Sequence, residues 1–315
     1  METTRDRDNP NPTQRARDAG AGNPEDRSIA RAWLSQPTME GAGVHLRRAF
    51  GHRELPKIDP FLLLDAFRSE NPDDYRLGFP WHPHRGIETI TYILDGDVEH
   101  GDSLGNRGII EPGDVQWMTA GSGIIHQEMP KGDRKGRMAG FQLWSNLPAK
   151  NKMMDPRYQE VKQAQIPIVK TADGATVRVI AGEVDGVAGP VREIVTDPEM
   201  LDVSLPAHAT FTRAAKPGHT VFAYVFEGEG KFGEGAGPRG GREGLLHTDT
   251  VVLYGPGDRI SVATEGKPVR FLLVSGRPLQ EPIAWYGPIV MNTDAELQTA
   301  FQEFQEGSFV KVART

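Results

Sequence analysis

Two short motifs carry the residues whose types and spacing could bind a metal. His82 and His84 lie two residues apart in WHPHRGIETITYILDG, and His126 and Glu128 lie two residues apart in MTAGSGIIHQEMP. On an extended strand, residues two apart point to the same face, so each pair presents both of its side chains together. If the two strands are neighbours, the two pairs can close around one metal ion.

The types of ligand narrow the choice of metal. Three imidazoles and one carboxylate suit iron, manganese, nickel, copper or zinc, whereas calcium and magnesium call for mostly oxygen ligands. On a six-coordinate ion, four protein ligands leave two positions open for dioxygen or a chelating substrate.

Composition excludes several classes of function. The 315-residue chain has room for two ordinary domains with a sizeable core. Its net charge of −7 and pI near 5.8 give no electrostatic reason to bind nucleic acid or an anionic membrane, and its apolar runs are too short to span a bilayer. The absence of cysteine excludes disulfides and thiolate chemistry and agrees with a reducing compartment. We therefore expect a cytoplasmic protein that binds neither nucleic acid nor membrane.

The N-terminal segment differs in composition from the rest of the chain. Residues 1–28 mix both charges with Pro, Gly and Asn and contain no large apolar residue after Met1, which predicts a disordered polar tail. The apolar stretch of a secretory signal is missing from it. From Ile29 onward, short apolar runs rich in β-branched and aromatic residues alternate with Gly, Pro and Asp. This pattern favours an all-β barrel or sandwich over a parallel α/β fold.

The clearest helix is predicted near the C-terminus, in the segment DAELQTAFQEFQEG. Thr293 or Asp294 could cap its N-terminus, and Gly307 could end it. Its apolar residues form one stripe that we expect to pack on the core. These residues are Leu297, Ala300, Phe301 and Phe304.

An internal repeat divides the chain into two similar halves. ETITYILDGDV from Glu88 aligns with TVFAYVFEGEG from Thr220 at an offset of 132, and EPGDV near Pro112 aligns with GPGDR near Pro256 at an offset of 144. We attribute the change of offset to the glycine-rich insert KFGEGAGPRGGREG. The offsets place Ala214, Lys216, Arg270 and Leu272 at the positions of His82, His84, His126 and Glu128. We therefore predict that only the first half holds metal, with one ion per chain.

These motifs resemble those of a known family. A duplicated small β-domain with H-x-H and a glycine-flanked downstream His resembles the cupin superfamily, and the phrases HPHRGIET, PGDVQWMTAGSGIIHQEMP, FQLWSNLPAKNKMMDPRYQ and GPIVMNT resemble pirin, a family of iron-binding bicupins. The resemblance implies an all-β bicupin of two tandem cupin-type β-barrels (double-stranded β-helices) with a C-terminal helix. The predicted domains are a metal-holding N-terminal cupin domain, 29–150, and a metal-free C-terminal cupin domain, 151–315, which includes the helix.

The resemblance also implies a ligand set and a metal. In pirins one iron is held by the H-x-H pair and a His-x-Glu pair, which correspond here to His82, His84, His126 and Glu128. The expected cofactor is Fe(II), with another divalent transition metal as the alternative. In cupins generally a carboxylate ligand comes from the Glu a few residues after H-x-H, which is Glu88 here. On a straight strand Glu88 would lie about 13 Å from His84, but Gly86 permits a bend, so geometry alone leaves both carboxylates open. The resemblance to pirin favours Glu128 and gives Glu88 a supporting role, such as orienting a ligand imidazole.

Two classes of function follow from the resemblance. Some pirin relatives are quercetin 2,3-dioxygenases, and others are regulators of the transcriptional co-regulator type that bind protein partners and use the iron as a redox-sensitive part. As an enzyme, the protein would act on a flavonol-like or catechol-like substrate and dioxygen, with Glu128 as both ligand and catalytic base. A third alternative is that the metal only stiffens the fold. The open metal positions give the enzyme a slight preference.

The sequence also suggests walls for the substrate pocket. Trp117, Met118 and Phe141 are apolar and lie near the ligand motifs, so they could line a pocket for a flat aromatic substrate. Core packing is the simpler interpretation of each one individually. No nucleophile-elbow motif is present, so hydrolase chemistry has no support.

Overall fold

The computed structural model describes residues 25–51, 58–233 and 245–311. The strands up to residue 146 are β1 (Ile29–Leu34), β2 (Gln36–Glu40), β3 (Val44–Phe50), β4 (Phe61–Ser69), β5 (Phe79–His84), β6 (Ile87–Asp95), β7 (Asp97–Asp102), β8 (Arg107–Ile110), β9 (Val115–Thr119), β10 (Ile124–Lys131) and β11 (Met138–Asn146). The later strands are β12 (Arg157–Val161), β13 (Ile168–Lys170), β14 (Thr176–Ala181), β15 (Glu183–Val184), β16 (Val187–Ala188), β17 (Glu199–Leu205), β18 (Thr210–Ala214), β19 (Thr220–Lys231), β20 (Leu245–His247), β21 (Thr250–Tyr254), β22 (Arg259–Ala263), β23 (Val269–Gly276), β24 (Ala284–Tyr286) and β25 (Ile289–Met291). The helix α1 spans Asp294–Gln305, and single 3-10 turns lie at Pro72–Asp74, Ala149–Asn151 and Gln163–Gln165. The predicted all-β class with a C-terminal helix is confirmed.

The first half is built from two sheets that face each other. A seven-stranded sheet has the order β12-β9-β6-β11-β4-β3-β2, and a four-stranded sheet has the order β5-β10-β7-β8. Side chains cross the space between the sheets. Thr91 on β6 donates a hydrogen bond to Glu128 on β10 at 3.0 Å. The interior between the two sheets is therefore polar at this point, and the two predicted ligand motifs lie on β5 and β10.

The second half repeats the strand pairing of the first, within one ten-stranded sheet. Strand β19 lies between β21 and β23, as β6 lies between β9 and β11, which agrees with the predicted correspondence of Glu88 and Thr220. The second part of the predicted alignment needs correction. Asp114 precedes β9, a neighbour of β6, whereas Asp258 precedes β22, which pairs with β18 as β10 pairs with β5. The similar sequences EPGDV and GPGDR form turns at different places in the fold, so their alignment was wrong.

This correction changes the counterparts of the second motif. Arg270 and Leu272 lie on β23, the equivalent of β11, whereas the equivalent of β10 is β22, Arg259–Ala263. The sequence of β22 is RISVA, and that of β18, the equivalent of β5, is TFTRA. Neither strand carries a His, Asp or Glu. The prediction that the second half lacks this ligand set therefore also follows from the corrected alignment.

The two halves pack through their large sheets. Successive residues of a strand point to opposite faces, and on β6 Ile90 and Tyr92 point away from Glu128 into a core shared by both halves. In this core Phe141 contacts Phe226 with ring centroids 5.0 Å apart. The first half contributes Ile90, Tyr92, Trp117, Phe141 and Leu143 to this core. The second half contributes Met200, Phe222, Tyr224, Leu272 and Val274. The face of the seven-stranded sheet that is turned away from the polar interior is thus buried against the second half.

Both ends of the described chain cross between the halves. Strand β1 pairs with β21 of the second half, and Arg27, 5% exposed, donates hydrogen bonds to the carbonyls of Gly257 and His219. Residues 25–28, predicted as part of the disordered tail, are therefore docked on the second half. Residues 1–24 lie outside the described residues. So does most of the glycine-rich insert, from residue 234 to 244.

The C-terminal segment crosses in the other direction and packs on the first half. Ile289 forms a bridge with Arg85, and the buried Lys152 donates to the carbonyls of Val290 and Gly86 at 3.1 and 2.9 Å. Gly86 has a φ of +78°, and a Cβ there would lie 1.9 Å from the Val290 oxygen, so only glycine fits. The domain boundaries at 29 and 151 remain a prediction, and strand pairing crosses them at both ends.

Helix α1 has the capping that its sequence predicts. The Thr293 side chain accepts from the backbone N–H of Glu296, whose carboxylate reaches back to the Thr293 N–H, and this forms a capping box. Ala300 is buried with Ile289, and Leu297 and Phe301 pack against the same cluster. Three residues of the predicted stripe thus pack on the core, whereas the fourth, Phe304, is exposed. Within the described part of the chain, no helix is long and apolar enough to cross a membrane.

Candidate metal centre

The candidate ligands lie on the inner face of the four-stranded sheet. Strand β10 is flanked by β5 and β7, and His126 lies directly opposite His82 on one side and Asp102 on the other. Glu128 lies opposite His100 on β7. Residues directly opposite each other on neighbouring strands share a face, so these side chains project together into the polar interior. The strand pairing predicted for the two motifs is present.

Three imidazoles form one compact group. The ligand atoms of His82, His84 and His126 all lie within 4.8 Å of one another, and the Nε2 atoms of His82 and His84 are 3.1 Å apart. The Nδ1 atom of His82 lies 2.8 Å from the Pro80 carbonyl oxygen, and that of His84 lies 3.0 Å from the Pro288 oxygen. Because a carbonyl only accepts, each Nδ1 carries the hydrogen and leaves a lone pair on Nε2. Both Nε2 atoms are therefore available to bind a metal.

Burial keeps the inner imidazoles neutral. Desolvation, together with the neighbouring His82, lowers the pKa of His84 to about 3. Desolvation and the surrounding imidazoles also lower the pKa of His126 well below its ordinary value. Both ring nitrogens of the buried His126 have no hydrogen-bond partner among the described atoms. Such a side chain costs free energy unless a ligand satisfies it, and a transition metal fits this requirement.

Glu128 is held from the opposite sheet. One carboxylate oxygen accepts from Thr91 at 3.0 Å, and the other accepts from Gln142 Nε2 at 2.6 Å. The Gln142 oxygen in turn accepts from Trp144 Nε1 at 3.0 Å. The ligand atoms of Glu128, His126 and His100 lie within 4.8 Å of one another and form a second group. The structure thus brings all four predicted ligands into one cavity, as two groups that share His126.

Several residues of this cavity were missed by the sequence reasoning. In the run FQLW of β11, Gln142 and Trp144 face the site, whereas Phe141 and Leu143 face the core between the halves. Trp144 packs edge-on to His84 with centroids 5.0 Å apart. The signal that could have found Gln142 is a polar residue at an alternating position of an otherwise apolar strand.

The structure corrects the predicted substrate pocket. Trp117 and Phe141 are buried in the core between the two halves, on the far side of the seven-stranded sheet from the ligands. Met118 points to the other face but is fully buried in a cluster with Ile87 and Ile124. None of the three lines an open wall beside the ligands. Proximity in sequence to the ligand motifs did not distinguish the two faces of the sheet.

The predicted supporting role of Glu88 also needs correction. Glu88 lies opposite Thr119 and accepts a hydrogen bond from its hydroxyl at 2.8 Å. It shares the face of β6 that carries Ile90 and Tyr92, away from the imidazoles. Burial raises the pKa of the Glu88 carboxyl, opposed by the hydrogen bond from Thr119. Glu88 therefore belongs to the packing between the halves.

We expect the substitution Glu88→Gln to leave metal affinity unchanged, because no atom of Glu88 is placed to orient a ligand imidazole. The measurement is a competition titration with a chelator, and the comparison is Gln142→Leu, which removes a hydrogen bond from Glu128. Residues that support a metal ligand typically contribute roughly 10- to 100-fold to metal affinity. A loss of affinity of that size in Glu88→Gln would show that Glu88 has been assigned to the wrong face of β6.

The comparisons with known proteins agree with this fold. The pirin-like protein of Caulobacter vibrioides is 43% identical over 90% of this chain and 99% of its own length, and human pirin is 40% identical over 86% of this chain and 90% of its own length. A crystal structure of quercetin 2,3-dioxygenase from Acinetobacter baumannii superimposes with a TM-score of 0.80 at 33% identity, over 90% of this chain and 99% of that one. The family model for pirin matches residues 43–145, and the model for the pirin C-terminal cupin domain matches residues 200–310. The chain is a member of the pirin family, with two cupin domains.

Proposed function

We propose that this pirin is a metal-dependent dioxygenase of the quercetin 2,3-dioxygenase type, with Fe(II) as its metal and a flavonol-like or catechol-like substrate. The observation that carries the proposal is the compact group of three imidazoles, His82, His84 and His126, whose ligand atoms lie within 4.8 Å of one another, with the lone pairs of His82 and His84 on Nε2. His82 is partly exposed, which leaves an approach to the group from solvent. The name of the similar Acinetobacter baumannii structure supports the choice of reaction.

Each residue of the cavity has a separate role in this proposal. His82, His84, His126 and Glu128 would hold the ion. The bound metal would supply a centre that takes the adjacent oxygens of the substrate together with dioxygen. Glu128 would also accept the proton of a substrate hydroxyl. The hydrogen bonds from Thr91 and Gln142 fix the orientation of its carboxylate for both tasks.

Aromatic side chains next to the imidazoles suit a flat substrate. Trp144 is partly buried beside His84, and Trp285 lies next to it with ring centroids 6.2 Å apart. Trp285 comes from β24, so the C-terminal segment completes this wall. The two indoles replace the predicted wall of Trp117, Met118 and Phe141. They would exclude water from one side of the substrate and stack on its rings.

Oxygen uptake tests the proposal directly. Iron-loaded protein is expected to consume dioxygen with quercetin or a related flavonol faster than the same concentration of free iron. The metal-free protein and His84→Ala are expected to match the free-iron rate. Replacing iron by nickel, manganese or copper in the same assay identifies the metal that supports turnover.

The matched control is His247→Asn, because His247 is exposed in the second half and should not affect the cavity. Uptake at the free-iron rate with a panel of flavonols and catechols would contradict the dioxygenase proposal for those substrates. A metal-dependent change in the binding of a protein partner by that inactive protein would then favour the regulatory alternative.

A further inference from the structure

His100 is a buried imidazole that the proposed function does not use. Its Nε2 atom lies 3.4 Å from the Asp102 carboxylate, two residues along β7. Asp102 is itself held in place by three donors. These are the backbone N–H of Leu104 at 2.9 Å, the backbone N–H of Asn106 at 3.0 Å and the Asn106 side-chain amide at 2.7 Å. The loop after β7 therefore orients Asp102, and Asp102 faces His100.

This arrangement selects one tautomer of His100. An ionised carboxylate only accepts hydrogen bonds, so the ring hydrogen lies on Nε2 and the lone pair lies on Nδ1. The Nδ1 atom is buried and has no hydrogen-bond partner among the described atoms. The Tyr158 ring stacks on the imidazole at 5.0 Å and restricts its rotation. A histidine that is held by a carboxylate through one nitrogen and is free at the other is the usual arrangement of a metal ligand and its supporting residue.

His100 has suitable partners within reach. The ligand atoms of His100, His126 and Glu128 lie within 4.8 Å of one another, and all three side chains are buried. We propose that these three residues form a second position for a divalent transition metal, deeper in the same cavity than the position formed by His82 and His84. Two imidazoles and a carboxylate are ligands that suit zinc, cobalt, nickel or iron.

The two positions take one ion at a time. Both need His126, and a neutral imidazole offers a metal a single lone pair. The outer position has His82 and His84 as its other imidazoles, and the inner one has His100. An ion that loses outer ligands can therefore remain bound through His100, His126 and Glu128. This inference rests on the proposed metal binding of the cavity and not on dioxygenase chemistry.

The test removes the outer ligands and asks whether binding persists. Cobalt(II) is titrated into the double variant His82→Ala/His84→Ala and followed by its visible absorption and by equilibrium dialysis. We expect one equivalent to bind, more weakly than in the unsubstituted protein. Adding His100→Ala to the double variant should weaken this binding by on the order of 100- to 1,000-fold, the share of one ligand in a typical structural site. Adding His247→Asn instead should leave it unchanged.

The possible outcomes separate this inference from the proposed function. If the unsubstituted protein binds cobalt but the folded double variant does not, the inner position is refuted and the outer centre stands. Equal binding with and without His100→Ala would also refute it. If neither the unsubstituted protein nor the double variant binds cobalt, both proposals fail. Circular dichroism checks folding, and His82→Asn/His84→Asn replaces the alanine pair if the latter does not fold.

Discussion

Replacing His126 by alanine is expected to remove tight metal binding from this protein. His126 belongs to both ligand groups of the cavity, so its loss cannot be compensated by a shift of the ion from one group to the other. The share of one ligand in the binding free energy of a structural site corresponds to a loss of on the order of 100- to 1,000-fold in affinity. Elemental analysis after dialysis should therefore find metal in the unsubstituted protein and almost none in the variant.

The same measurement tests the stoichiometry. We expect one metal per chain, because β18 and β22 of the second half carry none of the ligand types found on β5 and β10. His247→Asn is the matched control, since it also removes an imidazole but from an exposed position. Two retained equivalents in the unsubstituted protein, or full retention by His126→Ala, would contradict this account of the centre.

The second large effect is expected at the junction of the two halves. Asp202 is fully buried on β17 and accepts from Tyr92 of the first half at 2.7 Å. Two guanidinium nitrogens of Arg270 donate to the same carboxylate at 2.9 and 2.7 Å. The substitution Asp202→Ala leaves the Arg270 guanidinium with only the more distant Glu227 carboxylate, at 3.6 Å, and leaves the Tyr92 hydroxyl without its acceptor. Breaking a buried pair in this way costs about 3–5 kcal/mol in the free energy of unfolding.

Chemical denaturation measures this loss, and Tyr92→Phe is the matched control. The control removes only the hydroxyl and should cost about 1 kcal/mol, the typical net value of one hydrogen bond. Metal content should be retained by the folded fraction of both variants, because the network lies on the opposite face of the seven-stranded sheet from the ligands. If Asp202→Ala lowers the free energy of unfolding no more than Tyr92→Phe does, the central role of the Asp202 carboxylate is contradicted.

Residue types and local spacing were enough to indicate the all-β fold, the repeat and the ligand motifs. The spacing of two in H-x-H and H-x-E places both members of each pair on one face of a strand, and this depends only on strand geometry. Helix α1 could also be predicted from local sequence, because Thr293 and Glu296 form its capping box within four residues. Such features need no knowledge of which strands become neighbours.

The structure decided which face of each strand meets the site. Glu88, Trp117 and Phe141 were predicted near the metal, yet all three point into the junction of the halves. Alternation along a strand defines two faces but does not say which is turned inward, and here both faces of the seven-stranded sheet are buried. Because neither face of this sheet is exposed and polar, the pattern of apolar residues does not distinguish its two faces.

Tertiary structure alone also brought the remaining parts of the cavity together. His100 and Asp102 repeat the spacing of two found in the ligand motifs, but only the pairing of β7 with β10 places His100 opposite Glu128. The Pro288 carbonyl that orients His84 comes from a segment 204 residues away. The sequence by itself determined which side chains could bind a metal. Their grouping and the orientation of each imidazole depend on strand neighbours and on the crossing C-terminal segment, because contacts between residues far apart in the chain leave no local pattern.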